Sequence, residues 1–157
     1  MSGYASASDN KISFFIVLVA IIVTVGFFVF FLIPKHKTAH IEYGSITISA
    51  RVADDAESRQ LGLGGVERLD PTEGLLMVYD QPGKHGIWME GMKIPIDVIW
   101  INSENKVVHI VRDMKPESYP EEFFSKEPAL YVLELESGAV SRMRIRVGSE
   151  LRIPENI

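Results

Sequence analysis

From Ile12 to Ile33 the chain runs for 22 consecutive residues without a formal charge, with Ser13, Thr24 and Gly26 its least apolar members. As an α-helix this stretch is roughly 33 Å long, enough to cross a hydrocarbon core of about 30 Å. It has no polar face, which argues against a surface helix packed on a soluble core. A cleavable signal peptide carries an apolar stretch of about 7–15 residues and then small residues at the cleavage site. Here the stretch is longer and leads into Ile33-Pro34-Lys35-His36-Lys37, with no A-x-A pattern. The sequence therefore predicts an uncleaved, single-pass signal anchor over 12–33. A small, polar tail over 1–11 precedes it, with the composition of a disordered terminus. A basic linker over 34–44 and a β domain over 45–157 follow.

Orientation is a contest between two signals. Lys11 precedes the apolar stretch, opposed by Asp9, while Lys35 and Lys37 follow it. A strict count of flanking positive charge leans towards a cytoplasmic C-terminal domain. A short tail ahead of a first hydrophobic segment is the arrangement of an exported signal-anchor protein. We favour the second, with the β domain extracytoplasmic.

Residues 40–157 hold 13 basic and 20 acidic residues, a net charge of −7. Binding to a phosphate backbone rests on many neutralising Lys and Arg contacts, so no nucleic-acid partner is expected. The chain has no cysteine, which removes disulfides, thiolate zinc sites, iron–sulfur clusters and thiol nucleophiles together.

Beyond the linker, the period is that of strands. Ile46, Ile48, Ala50 and Val52 alternate with Thr47, Ser49 and Arg51, a half-buried strand. Asp54-Asp55-Ala56-Glu57 places acids where a helix N-terminus favours them, and Gly62, Gly64 and Gly65 keep that helix short. Leu75 to Tyr79 is an apolar run of strand length, and Asp80-Gln81-Pro82-Gly83 reads as a turn. Ile96–Ile101 and Lys106–Val111 form the clearest hairpin. In Leu130–Glu136, alternation turns Tyr131, Leu133 and Leu135 inward and Glu134 and Glu136 outward. Residues 138–147 fit a strand, with Arg142, Arg144 and Arg146 as an outer stripe, or a helical turn. A last short strand is expected around Leu151 and Ile153. Strands dominate without regular strand–helix alternation, so the expected fold is mainly β, a compact β-sandwich or partly open barrel with one or two short helices.

The densest stretch of chemistry runs from His85 to Asp97. Trp88, Met89 and Met92 offer a polarisable apolar surface of the kind binding faces use, and Pro95 fixes the chain before a strand. Asp97 lies among apolar neighbours, where a carboxylate must be paired or hydrogen-bonded to be buried. Trp88, Met89, Met92, Pro95 and Asp97 are thus candidate ligand-binding residues. The competing structural readings are that Trp88 and Met89 plug one end of the core and that Asp97 accepts loop amides.

A resemblance covers most of residues 45–153. Trp88-Met89 with Ile94-Pro95-Ile96-Asp97 is similar to the W-M-x-x-x-x-I-P-L-D signature of the uncharacterised ACR family. Arg59, Gly62 and Leu63 match its R-x-x-G-L element, and Leu69 with Gly74-Leu75-Leu76 its L…G-M-L-F element. Pro128 to Leu135, with Gly138, resembles its P-A-x-Y-V-L-E-L-x-x-G run. The resemblance implies a jelly-roll-like β-sandwich, often behind a signal or anchor sequence, and no assigned activity. The chain departs from the pattern at Glu90-Gly91-Met92, where K-N-T is usual, and at Gly64, where Met is usual. If the missing Asn shapes a turn, Gly91 can replace it through its freedom at positive φ.

Other chemistry has less support. His85, His109, Asp97 and Glu134 lack ligand-type spacing, so no metal is expected, and no motif calls for a cofactor. There is no G-x-S-x-G elbow, and Gly62-Leu63-Gly64-Gly65 lacks the Lys-Ser/Thr of a P-loop. Glu121, Glu122, Glu134 and Glu136 read most simply as solvated acids. The sequence thus favours a membrane-tethered, non-catalytic module for a small ligand or protein partner. The rival is a hydrolase with Asp97 as general base, assisted by His85 or Glu134. Convergence of those three on one concavity would favour the enzyme; an Asp97 bonded only to backbone amides would favour the module.

Overall fold

The period-2 and continuous apolar segments become strands of one sheet. The structure is a computed structural model that describes residues 14–24, 37–155 and 157. The chain divides into two units, Met1–Lys35 and His36–Ile157. In the first, residues 14–24 are helical (α1), and the Thr24 hydroxyl donates to the carbonyls of Ala20 and Ile21. Among the described residues no helix is long and apolar enough to cross a membrane. The remainder of the predicted 12–33 anchor lies outside them, as does His36.

The second unit runs β1 (Thr38–Tyr43), β2 (Ile46–Ala53), α2 (Ala56–Leu61), β3 (Glu73–Gly83), β4 (Gly86–Ile87), β5 (Ile96–Ile101), β6 (Val107–Met114), a 3-10 turn (Pro116–Ser118), β7 (Phe123–Phe124), β8 (Ala129–Glu136) and α3 (Ala139–Met143). Six strands form one open sheet in the order β1-β2-β3-β8-β5-β6, and β4 and β7 form a separate two-stranded ribbon. All neighbours in the sheet are antiparallel except β2 and β3, which the short helix α2 connects in parallel. The protein is mainly β with few short helices; of the two expected layouts, a sandwich or a partly open barrel, its strands do not form the two packed sheets of a sandwich but one open sheet. The C-terminal segment bridges the two outer edges of the sheet. Glu42 of β1 bridges Arg152, and Lys106, just before β6, bridges Glu150.

Both faces of the sheet are buried. One holds Ile41, Ile48, Leu76, Ile99 and Leu133 beneath Val140, Ile145, Leu151 and Ile153. The other holds Leu75, Met77, Val98, Trp100 and Val132 beneath Leu63, Leu69, Ile87 and Met89. Every residue of β5 is buried, as expected for a strand covered on both sides. This two-sided cover corrects the expectation for Glu134. It alternates outward from Leu133 and Leu135 as predicted, yet outward is the second core, and Glu134 is only 3% exposed.

Two local expectations also change, and one left open is decided. The predicted linker over 34–44 supplies β1, whose Ala39 and Ile41 are core residues. Asp80 to Gly83 does not turn; β3 continues through it with a register shift between Val78 and Gly83. Of the two alternatives for residues 138–147 the helical turn is the one present, as α3, with Arg144 in the left-handed conformation at φ 60° ending it. Arg142 turns to Glu136, so no arginine stripe forms. The helix predicted after Asp54 is α2, capped by Asp55, whose carboxylate accepts from the Ser58 amide at 2.8 Å.

Candidate functional site

Register assigns the candidate acids to opposite faces. Within the β5–β8 pair, Asp97 lies across from Leu135 and Val98 from Glu134. Side chains alternate along a strand, so Asp97 shares the face of Leu135 and Glu134 the face of Val98. Asp97 is fully buried, and its carboxylate is spent on two backbone amides: Oδ1 accepts from Asp113 and Oδ2 from Val140, both at 2.9 Å. It ties the end of β6 and the start of α3 to the central sheet.

On the other face, a cleft of about 330 Å³ is lined by Arg59, Gln60, Leu61, Gly62, Leu63, Met77, Tyr79, Gly86, Ile87, Trp88, Glu90, Met92 and Glu134. Strand β8 delivers Glu134 to its floor from one side and β3 delivers Met77 and Tyr79 from the other, because these three share a sheet face. Helix α2 forms one wall with Arg59. It ends at Gly62, whose φ of 54° is one that L side chains rarely adopt. A Cβ at Gly62 would stand 3.5 Å from Glu134 Oε2, in van der Waals contact with it. The opposite wall is the Trp88–Met92 segment, where the Met92 amide donates to the Met89 carbonyl across a turn. Gly91 sits in that turn at φ 67°, the conformation its place in the departing motif calls for.

The chemistry of the cleft centres on Glu134. Its Oε2 is buried and has no hydrogen-bond partner. Burial pushes the carboxyl up to about 7, against the smaller opposing pull of the Leu63 amide and the Arg51 guanidinium. Arg51 gives Nη2 to the Gly62 carbonyl at 2.7 Å. Arg59 donates to the Val78 carbonyl at 2.8 Å and lies 4.9 Å from the centre of the Tyr79 ring. The His85 imidazole stacks on the same ring with centroids 3.4 Å apart, so both faces of Tyr79 are occupied. Burial also raises the Tyr79 hydroxyl and lowers the His85 imidazole from their ordinary values. At the mouth, Trp88 is 39% exposed.

Of the residues singled out in the sequence, Trp88, Met92 and Glu134 line this cleft. Met89 is 1% exposed and belongs to the core, the plug reading. Pro95 borders a separate depression with Ile94, Glu136 and Ser137. Asp97 is on the far face. The trio of Asp97, His85 and Glu134 does not converge, since the sheet separates the first from the third and His85 is not among the residues lining the cleft. Among the described residues no group of His, Asp and Glu is arranged to hold a metal ion. Sequence reading did not connect Arg59, Gly62, Tyr79 and Glu134 as one site. A signal was present: Arg59, Gly62 and Leu63, Trp88, and Glu134 come from three of the four motif elements, and all line one cleft.

The family model described as Uncharacterized ACR, domain of unknown function number 192, matches residues 38–153. The chain belongs to the ACR family. Its matched region begins with β1 and ends with the C-terminal segment, so the family unit is the whole sheet domain. No curated protein gives a significant match. Among solved structures, a protein of Sinorhizobium meliloti described as a candidate transcription regulator is 25% identical, with a TM-score of 0.72 over 76% of this chain and 96% of its own. A protein of unknown function from Novosphingobium aromaticivorans, 23% identical, superposes with a TM-score of 0.66 over 74% of this chain and 84% of its own. The latter likeness is one of fold alone.

Proposed function

We propose that this ACR-family protein is a non-catalytic module that binds a small ligand in the cleft between α2, β3, β8 and the Trp88–Met92 turn, and that residues 12–33 tether it to a membrane. One observation carries the binding reading: Glu134 Oε2 is buried, without a partner, and on the lining of an open cleft. Leaving a buried carboxylate oxygen unmatched costs free energy that a stability-driven sequence would remove. Binding sites are where such groups are kept, because a ligand supplies the missing partner. The size of the cleft, about 330 Å³, fits a small molecule or a single side chain.

The hydrolase alternative needs Asp97 as a base, yet both oxygens of Asp97 accept backbone amides. A role on nucleic acid, suggested by the rhizobial relative's description, fits a domain with net charge −7 poorly.

The test is a screen of small aromatic and aliphatic fragments against 15N-labelled protein. Binders should shift the Trp88 indole and the Gly62, Leu63 and Gly91 amides while leaving the buried Trp100 indole in place. Shifts gathered instead around Pro95 and Ser137, or scattered over the surface, would sink the assignment.

A further inference from the structure

We propose that the cleft takes a small organic cation, a primary or methylated ammonium on an apolar body, with the ammonium on Glu134 and the body on Trp88 and Met92. This rests on the binding-module reading and names the class of its ligand. The case begins with what Glu134 lacks. Its unpartnered oxygen is an acceptor, and the complement of a buried carboxylate is a donor, best a charged one. The protein's own bases are engaged elsewhere: Arg51 on the Gly62 carbonyl, Arg59 on the Val78 carbonyl and the Tyr79 ring. Neither forms an ion pair with Glu134 among the described residues.

Shape and balance of charge agree. The charged residues lining the cleft are Glu134, Glu90 and Arg59, two acids against one base that is already held. Gly62 borders the carboxylate, since a Cβ there would stand in van der Waals contact with Oε2 at 3.5 Å. The same cleft is lined by the thioethers of Met77 and Met92 and the indole of Trp88, polarisable groups that accept the CH groups beside an ammonium nitrogen. An anionic ligand would meet Glu134 and Glu90 with only one bound arginine to offset them.

Three probes that share a body and differ in head group decide the point: benzylamine, benzyl alcohol and benzoate. They are titrated at pH 8 into the full chain in non-ionic detergent and followed by calorimetry and Trp88 emission, with Trp88→Phe identifying that signal. The ammonium should bind at least ten times more tightly than the alcohol, about one charged hydrogen bond's worth of discrimination, and benzoate should not bind. Glu134→Gln should bring the ammonium down to the alcohol's affinity and leave the alcohol unchanged.

A second measurement needs no variant. The titratable and charged groups around Glu134 are Arg51 from β2, Tyr79 from β3, Arg59 from α2 and Glu90 from the turn. Burial brings the Glu134 carboxyl up to about 7, while His85, stacked on the Tyr79 ring, is lowered by burial from its ordinary value. Between pH 8 and pH 6 the ammonium's affinity should fall about tenfold as Glu134 takes up a proton, while benzylamine keeps its charge. If Glu134→Gln fails to fold, this series decides alone. Equal or tighter binding of the alcohol or of benzoate, or a flat pH series, overturns the cation and leaves the binding module standing. No binding of any probe overturns both.

Discussion

Asp97 and Glu134 are both buried acids on neighbouring central strands, and they answer the cost of burial in opposite ways. Asp97 has an amide for each oxygen. Asp97→Asn keeps one acceptor and turns the other oxygen into an NH2 that faces a backbone N–H, so it loses a bond and strands a donor. The expected loss is about 1–3 kcal/mol, measured as a lower urea midpoint at unchanged slope. A variant as stable as the parent would mean that these amides do not hold the carboxylate. Glu134 behaves differently because burial holds its folded carboxyl at about 7 against an ordinary 4.5. Below pH 4.5 both folded and unfolded chains carry the proton, and Glu134 contributes no pH dependence. As pH rises from 4.5 to about 7 the unfolded chain loses the proton first, so the fold binds more protons and loses stability. Above that window the penalty is constant at about 3 kcal/mol, an order-of-magnitude figure. Glu134→Gln should therefore match the parent at pH 4 and exceed it at pH 8 in thermal melts. A variant no more stable at pH 8 would show that Glu134 is ionised at no cost.

Strands were legible where apolar residues alternate or run together between turn signals, and what covers each of their faces was not. Alternation located β2, the β5–β6 hairpin and β8, and acids before a glycine cluster located α2. The same alternation misdirected the reading of Glu134, because a period of two says which residues share a face and not what covers that face. β1 was hidden by the polar Thr38, His40 and Glu42 on either side of Ala39 and Ile41. Asp80-Gln81-Pro82-Gly83 has the composition of a turn, and the register shift of β3 absorbs it within an edge of irregular pairing. The cleft escaped for a related reason: its residues lie far apart in sequence and only the order β3-β8-β5 brings them together. The C-terminal segment carries the element-scale prediction. Leu151 is fully buried, Ile153 is 5% exposed, and the segment pairs with both outer strands. Two such side chains are worth about 1.5–3 kcal/mol each, a large share of a domain's typical stability of about 5–15 kcal/mol. Ending the chain at Ser149 should leave a domain that binds a hydrophobic dye and lacks a cooperative melt. A sharp melt within a few degrees of the full-length value would show that the sheet edges need no bridging.

At the scale of the molecule, a domain with two small cores on one sheet is joined in sequence to an apolar segment of 22 residues. The sheet unit has its own buried residues on both faces and pairs its own edges, so residues 37–157 should fold alone, without detergent, metal or reductant. That makes the contribution of the N-terminal segment separable. Screening by salt removes proteins held by surface charge, since the Debye length is about 3 Å at 1 M. Alkaline carbonate strips peripheral proteins, but neither treatment offsets the transfer of some twenty apolar residues from hydrocarbon to water. The full chain should therefore stay with membranes through both washes and keep its full-length mass, while the 37–157 fragment should appear in the soluble fraction. Release of the full chain by carbonate would mean that 12–33 lies on the surface or packs against protein. A mature N-terminus near His40, read by mass spectrometry, would mean that the segment is a cleaved signal. In that event the cleft works free of any tether, and only the membrane half of the proposed function falls.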